Sequence, residues 1–138
     1  MNRKLTTKTG IARIWAAFFY SLNGLRLAIS NEAAFRQEAC IVVVLLVALL
    51  FLPVSLFWKG LLFFATTSVL VVELLNSAIE SVVDIASPEY HDLAKRAKDL
   101  GSAAVLVSIV FALAVVMFFK LNTRVIITLP AETLSASV

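Results

Sequence analysis

Charge is scarce in this chain, and several other residue types are nearly missing. Only 15% of its 138 residues are Asp, Glu, Lys or Arg, whereas soluble domains average about a quarter. With 61% apolar residues and a mean hydropathy of +0.96, this is the composition of a membrane protein, and the length allows a single domain. A single cysteine, Cys40, excludes an intrachain disulfide; its apolar setting marks it as an inert thiol. Four glycines form neither G-x-x-x-x-G-K-[ST] nor G-x-G-x-x-G, so familiar phosphate-cradling loops are excluded. The protein-kinase catalytic set is missing too. His91 is the lone histidine and has no Cys or His partner for zinc. The basic residues are scattered rather than interleaved with aromatics, which argues against nucleic-acid binding. The stretch after "MNRKLTTKTG" is interrupted by Arg13, Asn23 and Arg26, so it lacks a signal-peptide core, and the N-terminus reads as retained.

What the chain does have is apolar helix. Over residues 10–30, Ile11, Ile14, Trp15, Phe18, Leu22 and Leu25 follow the i, i+3, i+4, i+7 pattern. Aromatic and basic residues on such a helix suit the membrane interface. Asn31 offers an N-cap for the next helix, and Glu32 and Arg36 are spaced for an i, i+4 pair. Long helices are then expected over 33–52, 57–85 and 88–119, each containing one span, with a tail over 120–138 that carries no assigned function. "SPEYHDLAKRAKD" reads as a helix start, Ser87 as N-cap and Pro88 at N1. A tight turn at Ala86–Ser87 makes an antiparallel hairpin, with Glu80 level with Leu93 and Leu75 level with Lys98. Basic residues concentrate before the first span (Arg3, Lys4, Lys8, Arg13, Arg26, Arg36) and between the second and third (Lys95, Arg96, Lys98). By the positive-inside rule the N-terminus and that connection are cytoplasmic, and the tail is outside.

Inside "VVELLNSAIESVVD", Glu73, Asn76, Glu80 and Asp84 recur every three or four residues. At ~100° per residue they fall in one narrow stripe. Counting from Phe57 puts Asn76 near the interface and Glu73 about a turn inside it, where partial desolvation suits a general base. Glu32 and Asp99 fall near the same depth. Carboxylates with Arg13, Lys95, Arg96 and Lys98 nearby are what magnesium and phosphate chemistry need. The stripe has an equally good structural role as polar glue between helices, with Asn76 bridging. Intramembrane ionisable residues default to function, so spacing leads to an interfacial site with metal-binding potential and names no reaction.

At "NEAAFRQE", "VVELLNSAIESVVD" and "EYHDLAKRAKDLGSAAV" the sequence resembles the prokaryotic diacylglycerol kinase family. The resemblance runs from about Arg13 through the third span. It implies an all-α membrane protein, an N-terminal interfacial amphipathic helix plus three transmembrane helices, assembled as a homotrimeric bundle in the bacterial inner (plasma) membrane. It also implies transfer of the γ-phosphate of MgATP to a lipid hydroxyl, with Mg2+ as cofactor and diacylglycerol and ATP as partners among the membrane lipids. By motif position Glu73 is similar to the catalytic base, and Glu32 and Glu80 to the metal ligands. Arg13, Tyr20, Glu32, Glu80, Glu89, Tyr90, His91, Lys98 and Asp99 match nucleotide contacts. Lipid contacts match Arg13, Ala17, Phe18, Phe19, Tyr20, Ser21 and Arg26. The same group takes in Ala34, Phe35, Arg36, Gln37 and Glu38, then Glu73 and Ser102. Asn76 and Asp84 support the site.

The resulting expectation is a trimeric diacylglycerol kinase producing phosphatidic acid. Undecaprenol is the alternative acceptor within the family. A small transporter or channel subunit is the alternative from another class, and it leaves the basic hairpin beside the stripe without a role. Because Arg13 and Glu32 lie in the N-terminal region, which is free to rest on a neighbour, the site is expected to be shared between chains.

Overall fold

The computed structural model describes residues 10–128, with side chains through residue 123. Arg3, Lys4, Lys8, the Arg124 side chain and residues 129–138 of the tail lie outside that range. Among the described residues the secondary structure is helical and strandless, in the order α1 (Ile11–Asn31), α2 (Ala33–Phe51), α3 (Leu56–Ala86) and α4 (Asp92–Thr128). The last three are long and apolar enough to cross a membrane.

The breaks have local causes. Glu32 interrupts α1 and α2 with an extended backbone, φ −100° and ψ 110°, so Asn31 closes α1 and does not cap α2. Nor does Arg36 pair with Glu32. Its guanidinium donates to the carbonyls of Ile29 and Ser30, each at 3.2 Å. Those are orphan acceptors at the end of α1, and a cation there also opposes the negative end of the helix dipole. Leu52, forced out of the helical region by Pro53, ends α2, and Lys59 Nζ donates to the Leu50 carbonyl at 3.3 Å.

The hairpin loop differs from expectation. Ser87 closes α3, its N–H donating to Val83 O at 2.8 Å, while its hydroxyl donates to Glu89 O at 3.0 Å. The N-cap of α4 is His91, whose Nδ1 accepts from the Leu93 N–H at 3.1 Å. Residues 87–91 are therefore non-helical, which moves the pivot of the hairpin towards Glu89. The register follows: Lys98 meets Asp84, and Gly101 meets Asn76. At the far end, α4 runs past residue 119 to Thr128.

Packing is thin and uses small side chains. Ala65, Val69 and Ala112 form the buried centre between α3 and α4, and Trp58 closes the end remote from the loop, its ring 5.4 Å from that of Phe119. Lipid tails are as apolar as leucine, so helices in a bilayer associate through close packing, which small residues permit. Thr66, Thr67, Ser68 and Ser108 return their hydroxyls to carbonyls of their own helices, which satisfies these four donors without a partner helix. The outward faces are apolar, Phe51, Leu56 and Phe57 among the most exposed. On α1 nearly every side chain is exposed, with Trp15, Phe18 and Phe19 in mutual ring contact and only Ala28 buried.

Arg36 is thus a tie between α1 and α2. Replacing it by Leu is expected to loosen the last turn of α1, since a cation at a helix C-terminus contributes about 0.3–1 kcal/mol. Amide hydrogen exchange at Leu27–Asn31 should accelerate about two- to five-fold; unchanged exchange would show that the tie carries no stability.

Candidate active site

On α3 the polar stripe faces inward. Glu73 is 5% exposed and Asn76 8%, and spacing of three and four residues keeps Glu73, Asn76 and Glu80 on one face. Asn76 Nδ2 donates to Glu80 Oε1 at 3.0 Å, which orients that carboxylate. Glu73 lies within Coulombic reach of Glu80, Glu32 and Glu38. Among the described residues none of these four carboxylates has an ion-pair partner. One oxygen of Glu38, Oε2, is buried without a hydrogen bond. Like charges gathered at low dielectric cost free energy unless a cation joins them.

Cations stand beside the cluster. Lys98 Nζ is 2.5 Å from Asp84 Oδ1, a bridge between α4 and α3, and is also within Coulombic reach of Glu80. Lys95 pairs with Asp99 one turn along α4, both exposed, a geometry that contributes little to stability. Between α1 and α3 runs a groove of about 630 Å³ that includes Ser21, Asn31, Glu32, Ser77 and Ser81 in its walls. A second, apolar cavity of about 250 Å³ lies between α2, α3 and α4, with Glu38 in its wall.

The structure gathers Glu32, Glu38, Glu73, Asn76, Glu80, Asp84 and Lys98 within one chain. Within that chain Glu32 lies within Coulombic reach of Glu73. Glu89, Tyr90 and His91 lie in the hairpin loop; α3 runs from Glu80 to Ala86 before it, about 9 Å at 1.5 Å per residue. His91 is occupied as a helix cap, and Tyr90 is exposed. Arg13, Ala17, Phe18, Phe19, Tyr20, Ser21 and Arg26 are exposed along α1, and Ser102 along α4. Phe35 is 3% exposed and packs inside the chain, whereas Ala34, Arg36 and Gln37 are exposed. Gly101, which motif reading passed over, is buried against Asn76; its signal was its place between the charged start of α4 and the apolar run.

Among the described residues no three His, Cys, Asp or Glu side chains converge as a ready-made metal cage. Magnesium needs only one or two protein carboxylates, completed by phosphate oxygens and water. The hard oxygens of Glu32 and of Glu80, the latter held by Asn76, fit that requirement.

Comparison with known proteins covers most of this architecture. The family model described as "Prokaryotic diacylglycerol kinase" matches residues 19–119, a segment that contains every carboxylate of the cluster. Similar proteins named "Diacylglycerol kinase" come from Escherichia coli (strain K12), Pseudomonas aeruginosa and Helicobacter pylori (strain 26695). The first is 51% identical over 104 residues, covering 75% of this chain and 85% of that protein. The second is 47% identical over 102 residues, covering 74% and 83%. The third is 41% identical over 102 residues, covering 74% and 80%. A match over these residues, with the buried acidic stripe and the basic hairpin inside it, makes the chain a member of the prokaryotic diacylglycerol kinase family.

Proposed function

We propose that the protein is an integral-membrane lipid kinase that transfers the γ-phosphate of MgATP to the hydroxyl of diacylglycerol, giving phosphatidic acid and ADP. The observation that carries this reading is Glu73, a buried carboxylate on a membrane helix with three further carboxylates around it and no ion-pair partner among the described residues. Polar glue between helices would leave such a group paired. A pore lining would leave the basic hairpin beside it without a role. The names of the relatives favour diacylglycerol over undecaprenol as acceptor.

Each residue then has a task. Glu73 takes the proton from the lipid hydroxyl as its oxygen bonds to the γ-phosphorus and the bond to the β–γ bridging oxygen breaks. Glu32 and Glu80 would hold Mg2+, which when bound neutralises charge on the phosphates. Lys98 adds positive charge near Glu80, and Asp84 fixes its ammonium. Arg13, Tyr20, Asp99 and the loop residues Glu89, Tyr90 and His91 contact the nucleotide. The groove between α1 and α3 receives the lipid, with Ser21 in its wall and Arg26 on the same helix. Closure by neighbouring copies in a homotrimer would shield the ionised stripe from lipid, which one thin bundle does poorly. The N-terminus and hairpin loop face the cytoplasm of a bacterial inner membrane, where ATP is found, and the tail lies outside.

Glu73→Gln keeps size and polarity but cannot take the proton. It is expected to lower kcat by about 10²–10⁴-fold with the oligomer intact by size-exclusion chromatography; near-normal turnover would remove Glu73 from the base role.

Glu32→Gln and Glu80→Gln should each raise the magnesium concentration needed for half-maximal rate. If both hold one ion, the double variant loses little beyond the worse single variant, whereas multiplicative losses would assign them separate roles.

Glu32 and Glu73 of one chain lie within Coulombic reach of each other; if that pair is the working one, mixing inactive Glu73→Gln and Glu32→Gln subunits restores no activity. Recovery in assemblies whose mixing is verified by crosslinking would place the two residues of a site on different chains.

A further inference from the structure

Gly101 sits where α4 crosses α3. A Cβ built on it would overlap Asn76 Oδ1 and come within 3.3 Å of Asn76 Cγ. At Gly10, Gly24 and Gly60 such a Cβ meets nothing within 4 Å. Only at position 101, then, does a neighbouring side chain use the space a glycine leaves. That neighbour is polar and buried: Asn76 Oδ1 has no hydrogen-bond partner. Where a Cβ would overlap, glycine has only a Cα hydrogen, which leaves room for a Cα–H···O contact of the kind found between packed helices.

An amide has two ends. With Oδ1 lodged against Gly101, Nδ2 is aimed at Glu80 Oε1, 3.0 Å away. The flipped amide would turn an oxygen towards the carboxylate and lose that bond. We propose that Gly101 is a positioning residue for phosphoryl transfer: its bare Cα holds the Asn76 amide in the orientation that presents Glu80 to the metal–nucleotide complex. The functional half of this rests on Glu80 as a metal ligand; the geometric half does not.

The test uses the full chain labelled with 15N-asparagine as the parent, Gly101→Ala, Asn76→Ala, Glu80→Gln and the Asn76→Ala/Gly101→Ala double variant. The side-chain amide signal missing from Asn76→Ala identifies Asn76. Gly101→Ala is expected to move that signal to the position of a freely rotating amide. A folded Gly101→Ala protein with the signal unmoved overturns the proposal.

Mn2+ uptake in the presence of a non-hydrolysable ATP analogue, followed by electron paramagnetic resonance, is the second readout. Glu80→Gln, Asn76→Ala and Gly101→Ala should each weaken it, the last two by about 10–100-fold, as for residues that orient a ligand. The double variant should be no weaker than the worse single variant. Multiplying losses, or normal uptake in Gly101→Ala beside weakened uptake in Glu80→Gln, overturn the proposal. Normal uptake in Glu80→Gln with a moved Asn76 signal removes Glu80 from the metal and leaves the positioning contact standing. If Gly101→Ala does not fold, the double variant, in which the shortened side chain at position 76 vacates the space, should fold; a double variant that stays unfolded overturns the contact as the reason for the glycine.

Discussion

The antiparallel contact between α3 and α4 is the interaction on which the rest depends. In a bilayer no hydrophobic drive pulls two apolar helices together, so they must approach closely enough for packing and polar contacts to hold them. Ala65 and Ala112 allow that approach in the middle, and Gly101 allows it beside Asn76. Trp58 against Phe119 closes one end, and the Asp84–Lys98 bridge the other. At 31 residues α3 is about 46 Å long, more than the ~30 Å of hydrocarbon requires. Along that length one acidic stripe runs from buried Glu73 to exposed Asp84, so a single helix offers a desolvated carboxylate and a solvated one on the same face.

Around that hairpin, charge is distributed by what each cation is needed for. Arg36 is spent on the carbonyl end of α1, which leaves Glu32 without an ion pair among the described residues. Lys98 bridges to Asp84, further out than Glu80 on the stripe, and so does not neutralise Glu73. Glu73 is left within Coulombic reach of Glu32, Glu38 and Glu80, and none of the four has an ion-pair partner among the described residues.

Much of this was legible from sequence because it is local. The run from Ala39 to Leu52 and the charge-free run from Gly101 to Phe119 announce spans by length alone. Glu73, Asn76 and Glu80 announce a shared face by spacing, since helical periodicity needs no partner to be read. Their apolar surroundings likewise placed Glu73 deeper than Glu80.

Competition between local signals, and everything between helices, was decided by the fold. Ser87 and Pro88 are a sound helix start by their chemistry, yet His91 takes the N-cap because Ser87 is already used to end α3. That later start of the helix resets which side chains meet across the hairpin, and so Asp84, not Leu75, finds Lys98. Arg36 is one helical turn from Glu32, but the free carbonyls of a broken helix claimed it instead. The sequence by itself determined the helices, the spans and the acidic face, because each depends on neighbours along the chain. Which carboxylates come within reach of one another, which cations are diverted from them, and what lies against position 101 were decided by tertiary structure, because those depend on distances between residues that the chain order keeps apart.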